Sequence, residues 1–189
     1  MKTAKEQATS RDAEINALRA TVQTQAEQLE RLQVDMNESE QYSRNMNLEI
    51  HGLPEKENEN LKEVLSDIAE KLHLQKFSLL DVEAIHRLPG KRNSIPRVLV
   101  RFTSIAARNI LFDARGKLLQ LCEASSLEKI FLNENLTRLN RDLFWRARTG
   151  AKQMEYKFAW VKRGKIFVKK SEGSSLLRII RHADLDNIV

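Results

Sequence analysis

The stretch Arg44-Asn-Met-Asn-Leu-Glu-Ile-His-Gly-Leu-Pro54 opens the part of the chain with the clearest pattern. Leu48 and Ile50 alternate with polar residues, which predicts a half-buried strand, and Gly52 and Pro54 predict its end. The apolar residues that follow have the spacing of one helix face: Leu61, Val64, Leu65, Ile68 and Leu72. The stretch therefore predicts a strand followed by an amphipathic helix.

Two more strands are predicted after this helix. Residues 82–88 are predicted to form a strand in which Val82 and Ile85 are three apart, so we expect a β-bulge there. Residues 89–94 have the composition of a turn. Residues 97–102 alternate strictly, which places Val98, Val100 and Phe102 inward and Arg97, Leu99 and Arg101 outward.

A second helix and a last strand complete the pattern. Ser104 is a suitable N-cap and Gly116 a suitable exit for a helix with this buried stripe: Ala107, Ile110, Leu111 and Ala114. Residues 129–133 predict a strand with Ile130 and Leu132 inward, while Phe131 faces either outward or into the core. The order βαββαβ over residues 44–136 predicts an RRM-like (RNA-recognition-type) sandwich.

The residues before this pattern follow a heptad repeat. In a frame from Ala4 to Ser43, only Gln25 interrupts the apolar set between Ile15 and Met36. A stripe this narrow does not stabilise a lone helix in water, so residues 1–43 are predicted to self-associate as a coiled coil. The predicted seam consists of Ile15, Leu18, Val22, Leu29, Leu32 and Met36. The heptads leave both dimer and trimer open.

The last segment, residues 137–189, is strongly basic. It has 13 basic and 5 acidic side chains, whereas residues 44–136 have 14 and 13. Such a segment is expected to meet phosphate. We predict a helix over about 136–154, a hairpin turning at Arg163-Gly164, and a final helix capped by Ser174-Ser175 that carries Leu176, Ile179, Ile180 and Ala183. One stripe of the first helix is formed by Arg138, Arg141, Trp145, Arg148 and Lys152.

The chain is thus predicted to be α+β, with a coiled coil at 1–43, the sandwich at 44–136 and a small α/β domain at 137–189. Its single cysteine, Cys122, excludes an internal disulfide framework and fits a reducing compartment. No apolar run has the length of a membrane span, and the first residues lack a signal core. The four histidines are scattered, so we expect no metal site. No phosphate-binding glycine loop, no converging carboxylates and no activating context for Cys122 are recognisable, so we expect no cofactor and no enzyme.

Several motifs resemble a known family. Residues 47–54, 85–89 (Ile-His-Arg-Leu-Pro) and 96–103 (Pro-Arg-Val-Leu-Val-Arg-Phe-Thr) look like the first open reading frame protein of LINE-type (non-LTR) retrotransposons. The C-terminal half also looks like the baculovirus few-polyhedra protein. The LINE resemblance implies a homotrimer, formed through the coiled coil, that coats element RNA in a cytoplasmic ribonucleoprotein, also nuclear in some settings, and acts as a nucleic-acid chaperone.

The resemblance also implies binding residues. The matching arginines are Arg87, Arg97 and Arg101 on the sheet and Arg138 and Arg141 in the basic helix. The helical stripe adds three candidates from the residue pattern alone: Trp145, Arg148 and Lys152. We expect Arg97, Arg101 and Arg141 to matter for binding and little for stability. Trp145 is interpreted either as a ring that stacks on a base or as a residue packed against the last hairpin.

One departure from the RNA-recognition fold affects the expected binding mode. That fold usually displays aromatic rings where this chain has Glu49, Arg97 and Leu99. We therefore expect that phosphate contacts dominate nucleic-acid binding. The sequence does not decide whether RNA or DNA is preferred. The alternative is a structural or adaptor protein whose coiled coil and sandwich make protein contacts only.

Overall fold

The computed structural model describes the backbone of residues 4–90, 94–124 and 129–189. The fold is mixed α+β, and the chain forms two compact units, residues 1–39 and residues 40–189. The three residues 91–93 of the predicted turn lie outside the described part.

The first unit consists of one long helix. Helix α1 spans Ala4–Arg44, and its last five residues belong to the second unit. The predicted helix is confirmed, whereas its association stays a prediction. Side chains are described from residue 11 onward, and all six seam residues are between 45 and 75% exposed.

A four-stranded antiparallel sheet forms the first layer of the second unit. Its strands are β1 (Asn47–His51), β2 (Val82–Arg87), β3 (Val98–Phe102) and β4 (Phe131–Glu134), in the order β2-β3-β1-β4. The predicted bulge is confirmed, because the register of β2 against β3 shifts between Val82 and Ala84. The inward residues of β3 are those that the alternation predicts.

Three helices pack on one face of this sheet. They are α2 (Leu61–Lys71), α3 (Ile105–Asp113) and α4 (Arg115–Ala124), and a short 3₁₀ turn at Leu79–Asp81 precedes β2. One core joins them to the strands, with Leu65, Leu111 and Leu118 meeting Ile50 and Val100. The N-cap prediction for α3 is confirmed, because Ser104 Oγ accepts from the backbone N–H of Ala107 at 3.1 Å.

Two expectations for this layer were wrong. The chain does not leave the helical layer at Gly116, which lies in the first turn of α4. Gly116 fits this position because the first-turn amides of any helix lack intrahelical partners. Leu118 and Cys122 then bury α4 against the core. Strand β1 is not half-buried, because its outward residues Asn47 and Glu49 are covered as well.

The remainder of the second unit is a helix on a small sheet. Helix α5 (Arg138–Gln153) packs on strands β5 (Phe158–Lys162), β6 (Lys165–Lys169) and β7 (Leu177–Ile179), which are antiparallel in that order. The predicted hairpin is confirmed, with Arg163 at φ 52° and Gly164 at φ 73° in its turn.

The predicted final helix was wrong. Residues 177–179 instead form β7, and a 3₁₀ segment follows at His182–Asn187. Pairing with β6 satisfies the backbone of β6 and places Leu177 and Ile179 on the core side, beside Leu143 and Ala147 of α5. Leu176, which the helical spacing assigned to the core, is exposed.

Candidate functional site

A cleft of about 500 Å³ lies beside β4, an edge strand of the four-stranded sheet. One wall comes from this sheet, the end of α3 and the start of α4, and the other comes from α5 and the edge strand β5. Four arginines and three aromatic rings contribute to the lining: Arg97, Arg115, Arg141, Arg148, Phe112, Phe144 and Trp160. Two glutamates, Glu49 and Glu134, also line the cleft, so basic side chains outnumber acidic ones.

Glu49 lies at the centre of a polar cluster on the outward face of β1. Its side chain is only 4% exposed. Arg97 Nη1 donates to its Oε2 at 2.6 Å, and Asn135 Nδ2 donates to its Oε1 at 2.6 Å. Arg141 Nη2 lies 3.4 Å from Oε1, and His51 Nε2 lies 3.1 Å from Oε2. The two arginines are therefore held at the cleft by a buried anion.

The pKa of Glu49 reflects these contacts. Burial alone raises the pKa of a carboxyl group, because it penalises the charged form. The hydrogen bonds from His51 and Asn135 and the charges of Arg97 and Arg141 outweigh burial and lower the pKa of Glu49 from 4.5 to about 2. Glu49 is therefore ionised at neutral pH and neutralised by the surrounding guanidinium groups.

Glu134 connects the first sheet to the hairpin turn of the second. Its carboxylate accepts from the backbone N–H groups of Arg163 at 2.9 Å and Gly164 at 2.5 Å. On the other side, Arg108 Nη2 lies 3.4 Å from Glu134 Oε1, and both side chains are at most 8% exposed. This second carboxylate is thus also buried and paired, which leaves the solvent-facing charge of the cleft positive.

An aromatic ring holds one of the cleft arginines. The guanidinium carbons of Arg108 and Arg115 each lie 4.4 Å from the centroid of the Phe112 ring. A cation over the face of a ring is attracted by the ring quadrupole. Arg108 is buried, whereas Arg115 is exposed, so Phe112 helps to position an accessible cation at the cleft.

Gln41 fixes the start of α5, from which Arg141 extends. Its Oε1 accepts from the backbone N–H of Thr137 at 3.0 Å and from Asn140 Nδ2 at 3.1 Å, and its Nε2 donates to the carbonyl of Asn135 at 3.1 Å. Asn140 also donates to the carbonyl of Gly164 at 3.0 Å. A Cβ at Gly164 would come within 2.3 Å of the Gln41 side chain, so this position requires glycine for space as well as for its positive φ.

The structure brings three of the eight predicted binding residues together in the cleft. Arg97 and Arg141 meet at Glu49, and Arg148 lies on the next turns of α5. Arg148 is exposed, and within the described residues no ion pair joins it to a carboxylate. Arg148 is therefore the cleft cation with the fewest constraints from the protein.

The other two predicted sheet arginines have protein partners. Arg87 is paired with Glu59 and donates to the carbonyls of Leu53, Pro54 and Pro96 at 2.8–3.1 Å. The hydrogen bond from Arg87 lowers the pKa of Glu59. Arg101 Nε donates to Glu83 at 2.7 Å in an exposed pair. Their assignment to nucleic acid stays a prediction, and Arg87 has a competing structural role.

The last three predicted residues are exposed on α5 and are not among the side chains that line the cleft. Arg138 and Lys152 extend into solvent, and Trp145 is 66% exposed. The interpretation that packs Trp145 against the hairpin is therefore wrong. Phe131, for which both directions were open, faces outward and is exposed.

Among the arginines and aromatic rings of the cleft, four were not predicted as site residues from the sequence: Phe112, Arg115, Phe144 and Trp160. Phe112 and Arg115 lie at the junction of α3 with the unpredicted α4. Trp160 is an outward residue of β5, and its alternation with Ala159 and Val161 was the available signal.

A comparison with protein families bears on one wall of this cleft. Residues 137–189 match Baculovirus FP protein domain 2. The predicted likeness to the baculovirus protein is thereby supported for that range, which contains Arg141, Phe144, Arg148 and Trp160. A search of the curated proteins found no match for the chain.

Two features are absent from the described residues 4–90, 94–124 and 129–189. No helix there has the length and apolar character needed to cross a membrane. No three side chains of the types His, Cys, Asp or Glu form a group suited to a metal ion in the same residues. Cys122 is a buried free thiol.

Proposed function

We propose that this protein is an oligomeric single-stranded nucleic-acid binder. The observation that supports this most is the cleft, where arginines and aromatic rings face solvent while both carboxylates are buried in ion pairs. Guanidinium groups bind phosphate and stack on bases, and rings stack on any base. This combination suits a flexible strand with unpaired bases.

The arrangement of the first sheet supports the proposal. The strand order β2-β3-β1-β4, with helices on one face, is the order expected of an RRM-like sandwich, and we propose that relationship for residues 44–136. In that fold the opposite face binds the strand, and here the cleft begins on the opposite face, at Glu49 and Arg97.

The sequence resemblance suggests the ligand. We propose that the bound strand is the RNA of a LINE-type retrotransposon, coated by trimers that act as a chaperone. The chemistry of the cleft favours phosphate contacts over reading of base edges, so affinity should depend steeply on salt and little on sequence.

The test compares two arginines on α5. Arg148 lines the cleft, whereas Arg146 is paired with Asp142 at 2.8 Å and is not among the cleft residues. In filter binding with single-stranded RNA at two salt concentrations, Arg148→Ala should weaken binding several-fold. It should also reduce the slope of log affinity against log salt concentration by about 0.7, because one arginine no longer neutralises a phosphate. Arg146→Ala, which removes the same charge, should leave both unchanged.

The competing function is a protein-binding adaptor, which is favoured by the occupied hydrogen-bond donors of Arg87 and the ion pairs of Arg97 and Arg101. Absence of RNA binding by the full chain, or an affinity that does not respond to salt, would place the adaptor ahead.

A further inference from the structure

The outward face of the three-stranded sheet consists of aromatic and basic side chains. The inward residues Ile166, Val168 and Ile179 belong to the core with α5. By alternation, the outward residues are Phe158, Trp160 and Lys162 on β5, Lys165, Phe167 and Lys169 on β6, and Arg178 on β7. The three strands contain no acidic residue. The face is therefore both ring-bearing and uniformly cationic.

The register pairs these side chains across the strands. Trp160 lies opposite Phe167, and their rings are stacked with centroids 5.7 Å apart and planes at 29°. Phe158, which is exposed, lies opposite Lys169 at one end of this pair. At the other end Lys162 lies opposite Lys165, and both are exposed. Rings in the middle are thus flanked by ammonium groups on both sides.

This face is continuous with the cleft. Trp160 lines the cleft and also belongs to the outward face, because β5 is the edge strand between them. A strand leaving the cleft past Trp160 would meet Phe167 and the lysines next. The cleft and the outward face therefore share one ring.

We infer that the outward face of β5–β6–β7 is a second segment of the nucleic-acid path and holds unpaired bases. This inference rests on the proposed function. Phe158, Trp160 and Phe167 stack on bases, and the flanking lysines neutralise phosphates. Bases in a duplex are already stacked and paired, so the face selects single strands.

The first measurement uses Trp160 as its own reporter. The chain has two tryptophans, so the full-length Trp145→Phe variant leaves Trp160 as the single source of tryptophan emission. A single-stranded uridine oligonucleotide should quench this emission strongly, and an RNA duplex of equal length should quench it little. Trp160→Leu, if it folds, should weaken binding of the single strand by roughly tenfold.

The second measurement separates the outward face from the cleft. Lys162→Ser/Lys165→Ser removes two outward cations that do not line the cleft. This variant should reduce the slope of log affinity against log salt concentration by about 0.7 for each phosphate that is no longer neutralised. Lys71→Ser/Lys76→Ser, which removes two exposed charges from the region of α2, is the matched control and should bind like the unmodified protein.

The outcomes distinguish this inference from the proposed function. If the full chain binds no single strand, both are overturned. If Arg148→Ala weakens binding while Lys162→Ser/Lys165→Ser does not, the cleft binds nucleic acid and the outward face has no part in it. If vesicles of anionic phospholipid quench Trp160 and the oligonucleotide does not, the face is a lipid surface and the inference is wrong.

Discussion

At the scale of single residues, two arginines of the first sheet differ in what holds them. Arg97 contacts a carboxylate that is buried, whereas the partner of Arg101, Glu83, is exposed. A hydrogen bond to a buried charge contributes far more to stability than an exposed ion pair does, because water does not replace it freely. Under the proposed function, substitution of Arg97 would therefore affect both binding and stability, whereas substitution of Arg101 would affect binding with little effect on stability.

This difference predicts unequal effects of two similar substitutions. Arg97→Ala should lower the free energy of unfolding by roughly 2 kcal/mol, because it removes the shortest arginine hydrogen bond of Glu49. Arg101→Ala should change the free energy by less than about 0.5 kcal/mol. Urea unfolding at neutral pH measures both. Equal effects of the two would show that Glu49 does not depend on Arg97, and the expectation of little stability cost at both positions would then stand.

The lowered pKa of Glu49 predicts how stability depends on pH. The pKa is 4.5 in its ordinary state and about 2 in the folded chain, so the contribution is fully present above pH 4.5 and is lost as the pH falls toward 2. Its full size is roughly 3 kcal/mol, of which about 2 kcal/mol should be gone at pH 3. The difference in unfolding free energy between the unmodified protein and Glu49→Gln should shrink accordingly between pH 6 and pH 3, at about 25 °C. A difference that stays constant with pH would mean that Glu49 has an ordinary pKa.

At the scale of elements, side-chain periodicity correctly predicted those helices and strands whose form depends only on their own residues. The spacing of apolar residues was sufficient to predict two strands and one helix: Asn47–His51, Val98–Phe102 and Leu61–Lys71. The same logic failed at residues 174–183, where helical and strand spacing both fit. There the open edge of β6 selected the strand, and a local pattern carries no information about that edge.

The candidate site shows the same division. Arg97, Arg141 and Arg148 could be predicted because strand alternation and helical stripes place them off the apolar faces. The carboxylate partner of Arg97 and Arg141, and the aromatic rings near the three arginines, could not be predicted. They depend on how α5 and β5 pack beside the first sheet. Glu49 illustrates the limit: its strand position predicted exposure, and only the packing of Asn135 and Arg141 shows that it is buried.

At the scale of the whole molecule, association through the long helix α1 would determine whether several clefts act together. The seam residues of α1 are exposed in the single chain, and Met36 is the most exposed of them. A narrow apolar stripe on a helix of 41 residues is stable when partner helices cover it. Association would join several clefts, and linked sites bind a long strand more tightly than one site does, because later contacts become intramolecular.

The corresponding prediction combines mass and affinity. Val22→Asp/Leu29→Asp places charges in the seam, where association would have to desolvate them, so sedimentation equilibrium should show a monomer. The same variant should lose affinity for a long single-stranded RNA but keep its affinity for an oligonucleotide that one cleft can hold. Ala20→Asp/Thr24→Asp, which adds equal charge outside the seam frame, should keep both the mass and the affinity. An unchanged mass in the seam variant would show that the heptad frame is misassigned. A monomer that still binds the long strand with full affinity would show that the clefts act independently of α1.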